Sequence, residues 1–276
     1  MARLTGEEQR SLTHGEFWIP DEERAVYRRA LLALNRAGVP YVVSGLYAMH
    51  MYTGIYRKTK DLDLFFEPIH IVAAARALKA DGFAVRIEDA HWLAKAVRDG
   101  KQIDMIHGMG NGLALIDEAW YRHSRAGILV ATPVRVAPPE ELLWHRLYVS
   151  ERHRHDVADV MHLILCRGDE LDWDRLLDRL HEHYRLLLAH IHLFDFVYPG
   201  HVSRVPDGVR EQLGQRALAE RGQAGDPHVC QGTLISRFSF NIDVKEWGFR
   251  DPRKKATIAT RSAPVIRQIL ESDVWG

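Results

Sequence analysis

A chain of 276 residues, 46% hydrophobic and 27% charged, holds enough apolar material for one large domain or two modest ones. Its 37 Lys and Arg balance its 37 Asp and Glu, which excludes a global basic surface for nucleic acid and leaves only local patches. Two cysteines, Cys166 and Cys230, make neither a disulfide framework nor a Cys-rich zinc site, although one bridge between them stays open.

The first residues, to about 19, are too charged for a signal peptide and lack periodicity, so they read as an arm or a short helix. No apolar run approaches a membrane span, and the expectation is a soluble, reduced, cytoplasmic protein. Pro20 followed by Asp21, Glu22 and Glu23 opens a helix. Ala25, Tyr27, Leu31, Leu32 and Leu34 carry it to a stop at Gly38.

Tyr41-Val42-Val43 is a first strand, broken by Ser44-Gly45, and Leu46 to Tyr52 has the pattern of a short apolar helix. A basic cluster, Arg57-Lys58-Thr59-Lys60, then runs into Asp61-Leu62-Asp63-Leu64-Phe65-Phe66. Strand side chains alternate, so Asp61 and Asp63 share one face while Leu62 and Leu64 enter a core. Two carboxylates side by side repel unless a cation joins them, and Mg²⁺ prefers such oxygens. The plain alternative is a solvated strand face with two acids. The basic cluster favours the first reading, because it supplies what a polyphosphate needs.

Pro68 opens a further helix through Ile71, Val72, Ala75 and Leu78, which Asp81-Gly82 ends before the strand Phe83 to Ile87. Asp99-Gly100 is a hairpin turn between Trp92–Val97 and Gln102–His107. Gln102, Asp104 and Ile106 share a face of the return strand, so Asp104 can join the first two acids or be an exposed hairpin acid. Lys95, on the opposing strand, reads as a surface lysine or a phosphate contact. Residues 113 to 123 have a helical pattern, and Gly127–Val130 and Val134–Val136 read as closing strands. This order of strands and helices fits an α/β or α+β sheet.

The stretch from Tyr41 to Glu67 resembles the signature of the nucleotidyltransferase superfamily, the DNA polymerase β-like fold. There a small-residue turn after a first strand leads, one helix later, to Asp-x-Asp on a second strand, with a third carboxylate on a neighbouring strand. Ser44-Gly45, Asp61, Asp63 and Asp104 match those positions in a resemblance that runs from about residue 38 to about 165. It points to the bacterial stand-alone branch that includes AbiEii-type toxins. One departure is Leu46, where the family has a second Gly or Ser.

The resemblance implies an α+β fold, a small mixed β-sheet with helices followed by a mainly helical C-terminal region. The division expected is a catalytic domain over 1–137 and a second domain over 138–276. It implies an enzyme that moves an NMP from an NTP, such as ATP, to an acceptor hydroxyl. Asp61, Asp63 and Asp104 would be both metal ligands and catalytic groups, holding Mg²⁺ or alternatively Mn²⁺. Ser44, Gly45, Arg57, Lys58, Thr59 and Lys60 would bind the nucleotide. The acceptor is an RNA 3′ end, a protein hydroxyl or a small molecule, and a cognate antitoxin is a conceivable partner; no membrane is. The competing readings are an inactive nucleotide-binding or protein-interaction module, which Leu46 favours, and a metal-dependent phosphohydrolase, which would carry more His in its motif.

Beyond Pro138-Pro139-Glu140-Glu141, which marks a helix start and a domain boundary, helices dominate. Leu142, Leu143, Leu147 and Tyr148 form an apolar face, with His145, Arg146, Arg152 and Arg154 as a basic one. Residues 151 to 159 resemble the Arg-rich linker of the same branch, in which Asp156 is expected as a helix N-cap. His153, His155 and His162 lack the spacing of a zinc set. Many of the 16 His fall between 145 and 201, so mild acid is expected to make that region more positive. His190 and His192 read as core histidines. Asp172 starts another helix, residues 184 to 198 form the next, and residues 207 to 221 a polar one. A Gly-rich linker over 222–232 precedes an aromatic and basic segment, 236–255, which either stacks on nucleic acid or, the preferred reading, folds back on the core.

Overall fold

The computed structural model describes residues 19–152, 154–223 and 225–275. The expected N-terminal arm, apart from its last residue, and His153 lie outside the described residues. The described chain divides into two units: one ends at Pro138 and takes in the segment from Lys254 onward, and the other is Pro139–Arg253.

The first unit is built on a seven-stranded mixed sheet of order β3-β4-β5-β2-β1-β7-β6. Its strands are β1 (Val42–Val43), β2 (Asp61–Phe65), β3 (Ala84–Asp89), β4 (Leu93–Arg98), β5 (Lys101–Ile106), β6 (Arg125–Leu129) and β7 (Thr132–Val136). Two neighbouring pairs, β2 with β5 and β1 with β7, run parallel, and the others antiparallel. Alternation buries one face completely: Leu62, Leu64, Ala94, Ala96, Ile103 and Met105 are all 0% exposed. The opposite face carries the polar partners of those positions.

Helix α1 (Asp21–Arg36) forms because three acids occupy its first turn and Val26, Tyr27, Ala30, Leu31 and Leu34 recur on one buried face. Helix α2 (Gly45–Thr53) starts at the small-residue turn, and α3 (Ile71–Ala80) connects β2 to β3. The layout is strand, small-residue turn, helix, then Asp-x-Asp strand, and it is the one the nucleotidyltransferase resemblance implies.

The helix expected over 113–123 is shorter. Only Glu118–Arg122 (α4) is helical, capped by Asp117, whose Oδ1 accepts from the Ala119 amide at 3.1 Å. Upstream, Gly112 adopts φ +76°, its amide bonds Met109 O, and Met109 N bonds Ala114 O. Turn chemistry at Gly110, Asn111 and Gly112 overrides the apolar spacing there. The C-terminal segment docks on the same unit: Thr260 Oγ1 donates to Gly112 O at 2.8 Å, and Lys79 Nζ to Val274 O at 3.0 Å.

The second unit is helical: α5 (Pro139–Arg146), α6 (Val157–Arg167), α7 (Trp173–Leu180), α8 (Tyr184–Val197), α9 (Asp207–Ala219) and α10 (Asn241–Lys245). Its sequence-based side-chain assignments need several corrections. Arg146 is 4% exposed and bonds Asp156 at 2.7 Å and Asp159 at 2.5 Å, so it belongs to the interior, not to a basic face. Asp156 precedes α6, yet its carboxylate makes no cap bond and serves Arg146 instead. Glu140 and Glu141, expected merely to start a helix, are buried against Arg175, with Glu141 accepting at 2.7 Å.

His190 is half-buried and bonds Leu186 O, whereas His192 is exposed. Desolvation lowers the pKa of His145 to about 4, and burial lowers His183 and His190 too. These residues resist the protonation expected of the His-rich region in mild acid. Cys166 and Cys230 are free. In the aromatic and basic segment, Ser236 is 1% exposed and donates to Glu151 at 2.6 Å, a fold-back at its start, whereas Phe238 and Trp247 are exposed. No helix among the described residues is long and apolar enough to cross a membrane.

Candidate active site

The Ser44–Gly45 turn is built against β2. The Ser44 amide donates to the backbone carbonyl of Asp63 at 3.0 Å, which extends the β1–β2 pairing to the residue that carries the carboxylate. Gly45 follows at φ +58°, and a Cβ placed there would stand 1.8 Å from Asp63 Oδ2. Only glycine permits both the backbone conformation and this approach. Ser44 is 1% exposed, and its buried Oγ has no hydrogen-bond partner in the structure. A desolvated, unmatched hydroxyl is costly unless something else reaches it.

Parallel pairing of β2 with β5 sets Asp63 beside Asp104 and Asp61 beside Gln102. Alternation therefore places Asp61, Asp63, Gln102 and Asp104 on one face. The antiparallel β4–β5 hairpin sets Lys95 beside Asp104, and β3 sets Arg86 beside Lys95. The result is a charged row across four strands: Asp63, Asp104, Lys95, Arg86.

Asp104 accepts a hydrogen bond from Gln102 Nε2 at 2.6 Å, and the Lys95 ammonium stands 4.0 Å away. Burial pushes the Asp104 carboxyl above its usual range; the negative charge of Asp61 adds to this, and Lys95 and Gln102 oppose it. Beside the site, burial raises the phenols of Tyr27 and Tyr47, with Glu23 and Asp61 among the further causes. The two rings meet edge-on at 6.1 Å.

Of the basic cluster, Thr59 contacts the acids, donating to Asp61 Oδ1 at 3.0 Å. Arg57, Lys58 and Lys60 lie exposed in the irregular segment before β2. The structure thus brings together Ser44, Gly45, Thr59, Asp61, Asp63 and Asp104, and leaves the three basic side chains exposed in the segment before β2. The role of Gln102 as the bond donor to Asp104 escaped sequence reasoning. Counting outward from the two-residue turn at Asp99-Gly100 gives its register and that of Lys95.

Among the described residues, no group of three or more His, Cys, Asp and Glu side chains is arranged to hold a metal ion. The three carboxylates share a face without converging on one point. Their donor chemistry still suits a hard divalent cation: anionic oxygens on adjacent strands, with the charge of Asp61 acting on Asp104.

No protein-family model matches the chain, and no curated protein does. Among solved structures, the chain is similar to ANT(2")-Ia in complex with adenylyl-2"-tobramycin, at 17% identity and a TM-score of 0.39, over 71% of this chain and 99% of that one. The lincosamide antibiotic adenylyltransferase LnuA, lincomycin-bound, is 16% identical with a TM-score of 0.37, over 51% and 95%. JHP933 from Helicobacter pylori is 13% identical with a TM-score of 0.36, over 73% and 96%. Likenesses this distant assign no activity, and the function rests on the site itself.

Proposed function

We propose that this chain is a metal-dependent nucleotidyltransferase of the superfamily its sequence resembles. The observation that carries the reading is the register of Asp63 with Asp104 directly beneath the Ser44–Gly45 turn. Asp61, Asp63 and Asp104 would hold the divalent ions, with Mg²⁺ the natural choice for an all-oxygen set. When bound, such ions supply charge neutralisation at the attacking and leaving oxygens.

The protein's own groups have distinct tasks. Ser44 Oγ and the first amides of α2 face the phosphates, where an unmatched hydroxyl and a helix N-terminus both welcome an anion. Arg57, Lys58 and Lys60, exposed before β2, neutralise the outer phosphates. Asp104, which lies beside Asp63 on the neighbouring strand, takes the acceptor's proton. The acceptor oxygen forms a bond to the α-phosphorus as the α–β bridging bond breaks. The bonding pair leaves with pyrophosphate, and the proton passes from Asp104 to solvent.

One observation favours the second reading, a nucleotide-binding module without turnover. Leu46 occupies the first turn of α2, where the family has Gly or Ser. Incubation with each α-labelled NTP, Mg²⁺ and a panel of hydroxyl acceptors separates the two. Labelled product that vanishes in Asp61→Asn supports the enzyme, and nucleotide binding with no product from any acceptor supports the module.

A further inference from the structure

We propose that Lys95 and Arg86 select the acceptor by charge, and that the acceptor carries a phosphate close to its reacting hydroxyl. This rests on the nucleotidyltransferase reading of Asp61, Asp63 and Asp104. The row across β2, β5, β4 and β3 changes sign midway: Asp63 and Asp104 are followed by Lys95 and then Arg86. The nucleotide and its cations occupy the acidic end. A hydroxyl that reaches Asp104 from the β3 side passes over the two cations.

Lys95 is poorly matched where it stands. Its side chain is only 18% exposed, yet among the described residues its one ionic contact is Asp104 Oδ1 at 4.0 Å, beyond hydrogen-bond length. An ammonium has three donors, and holding it half-desolvated without an acceptor is unfavourable unless an anion completes it. Arg86, one strand further out, is 54% exposed and bonds Glu88 of its own strand at 3.2 Å. Its fork stays accessible for a second anionic group. The far side of these strands is closed by Ala94, Ala96 and Ile103, all fully buried, so only the charged face admits a ligand.

A polycationic acceptor would meet like charge at both Lys95 and Arg86, which disfavours it. A phosphate placed between them would replace the long Lys95–Asp104 contact with direct charge-assisted hydrogen bonds and leave Asp104 to its proton. Two sources share this chemistry: a phosphorylated small molecule and a nucleotide chain with a free 3′ hydroxyl.

The test measures transfer from α-labelled NTP, at saturating Mg²⁺ and nucleotide, to four acceptors. They are a ribo-oligonucleotide, a ribonucleoside 5′-monophosphate, the matching nucleoside without phosphate, and a polycationic aminoglycoside. The phosphate-bearing acceptors are expected to react best, and which of those two leads identifies the source. Lys95→Met is expected to raise the acceptor KM about tenfold. Arg86→Met removes no contact seen at Asp61, Asp63 or Asp104 and is expected to raise KM about threefold, with Mg·NTP affinity unchanged. Preference for the nucleoside or the aminoglycoside, or an acceptor KM unmoved in both variants, overturns the inference while the nucleotidyltransferase reading stands. Wild-type protein that binds Mg·NTP but labels none of the four also overturns it. Failure to bind Mg·NTP at all brings down both.

Discussion

The two units both gather acids, buried in one and half-buried in the other, and they treat them in opposite ways. In the helical unit, Asp156 and Asp159 are bonded to Arg146, and Glu140 and Glu141 to Arg175. A guanidinium satisfies each acid outright, and no ligand is needed. At the candidate site of the sheet unit, Asp61 accepts from a threonine hydroxyl and Asp104 from a carboxamide, with a lysine 4.0 Å from Asp104. Acids locked by arginine hold a fold together, whereas Asp61 and Asp104, held by neutral donors, keep the charge that a cation would answer.

This contrast yields predictions of decreasing size. Asp61→Asn should lower transfer by about 10³-fold, roughly 4 kcal/mol of barrier, with the melting temperature unchanged or higher because like-charge repulsion is relieved. Retained turnover would move Asp61 into the structural class. Arg146→Met should cost about 3–5 kcal/mol in urea unfolding, since two buried carboxylates lose their partner. It should do so without weakening Mg²⁺ affinity per folded molecule. A silent Arg146→Met would erase the distinction between the two kinds of acid.

Gly45→Ala should cost about 1–3 kcal/mol through its positive φ and the overlap with Asp63, and should abolish nucleotide binding. Binding equal to wild type would show that the turn does not shape the site. Acid should act on the helical unit. Desolvation depresses His145 to about 4 in the folded state, so the unfolded chain binds more protons below its ordinary pKa. Stability contributed by neutral His145 is therefore complete above about pH 6.5 and is lost as pH falls, by about 2 kcal/mol at pH 5. Buried His107, depressed in the same direction in the sheet unit, adds to the loss. Unfolding midpoints at pH 7.5 and pH 5 in wild type and His145→Gln check this, with the variant expected to show the smaller difference.

What could be read from the sequence follows from how local the cause is. Strand β2 was legible because its alternation of Asp and Leu spans four consecutive residues. The β4–β5 hairpin was legible because Asp99 and Gly100, both at positive φ, fix the register by themselves. The side-chain positions of Asp61 and Asp63 follow from those local rules, and so does the pairing of Lys95 with Asp104. Arg146 was misread because its burial depends on carboxylates ten and thirteen residues away. The helix over 113–123 was overextended because apolar spacing outweighed Gly110 and Gly112 in the reading, whereas in the chain the turn wins. The Thr260–Gly112 bond joins residues 148 apart, and no local pattern announces such a contact. The unmatched hydroxyl of Ser44 is likewise visible only once its surroundings are in place.

The most direct measurement is calorimetric titration of each NTP, with and without Mg²⁺, into wild-type protein and Asp63→Asn. The account predicts binding that needs Mg²⁺, favours one base or a few, and disappears in Asp63→Asn while that variant stays folded. Absence of binding to all four NTPs by the folded wild type would contradict it, as would equal binding by Asp63→Asn.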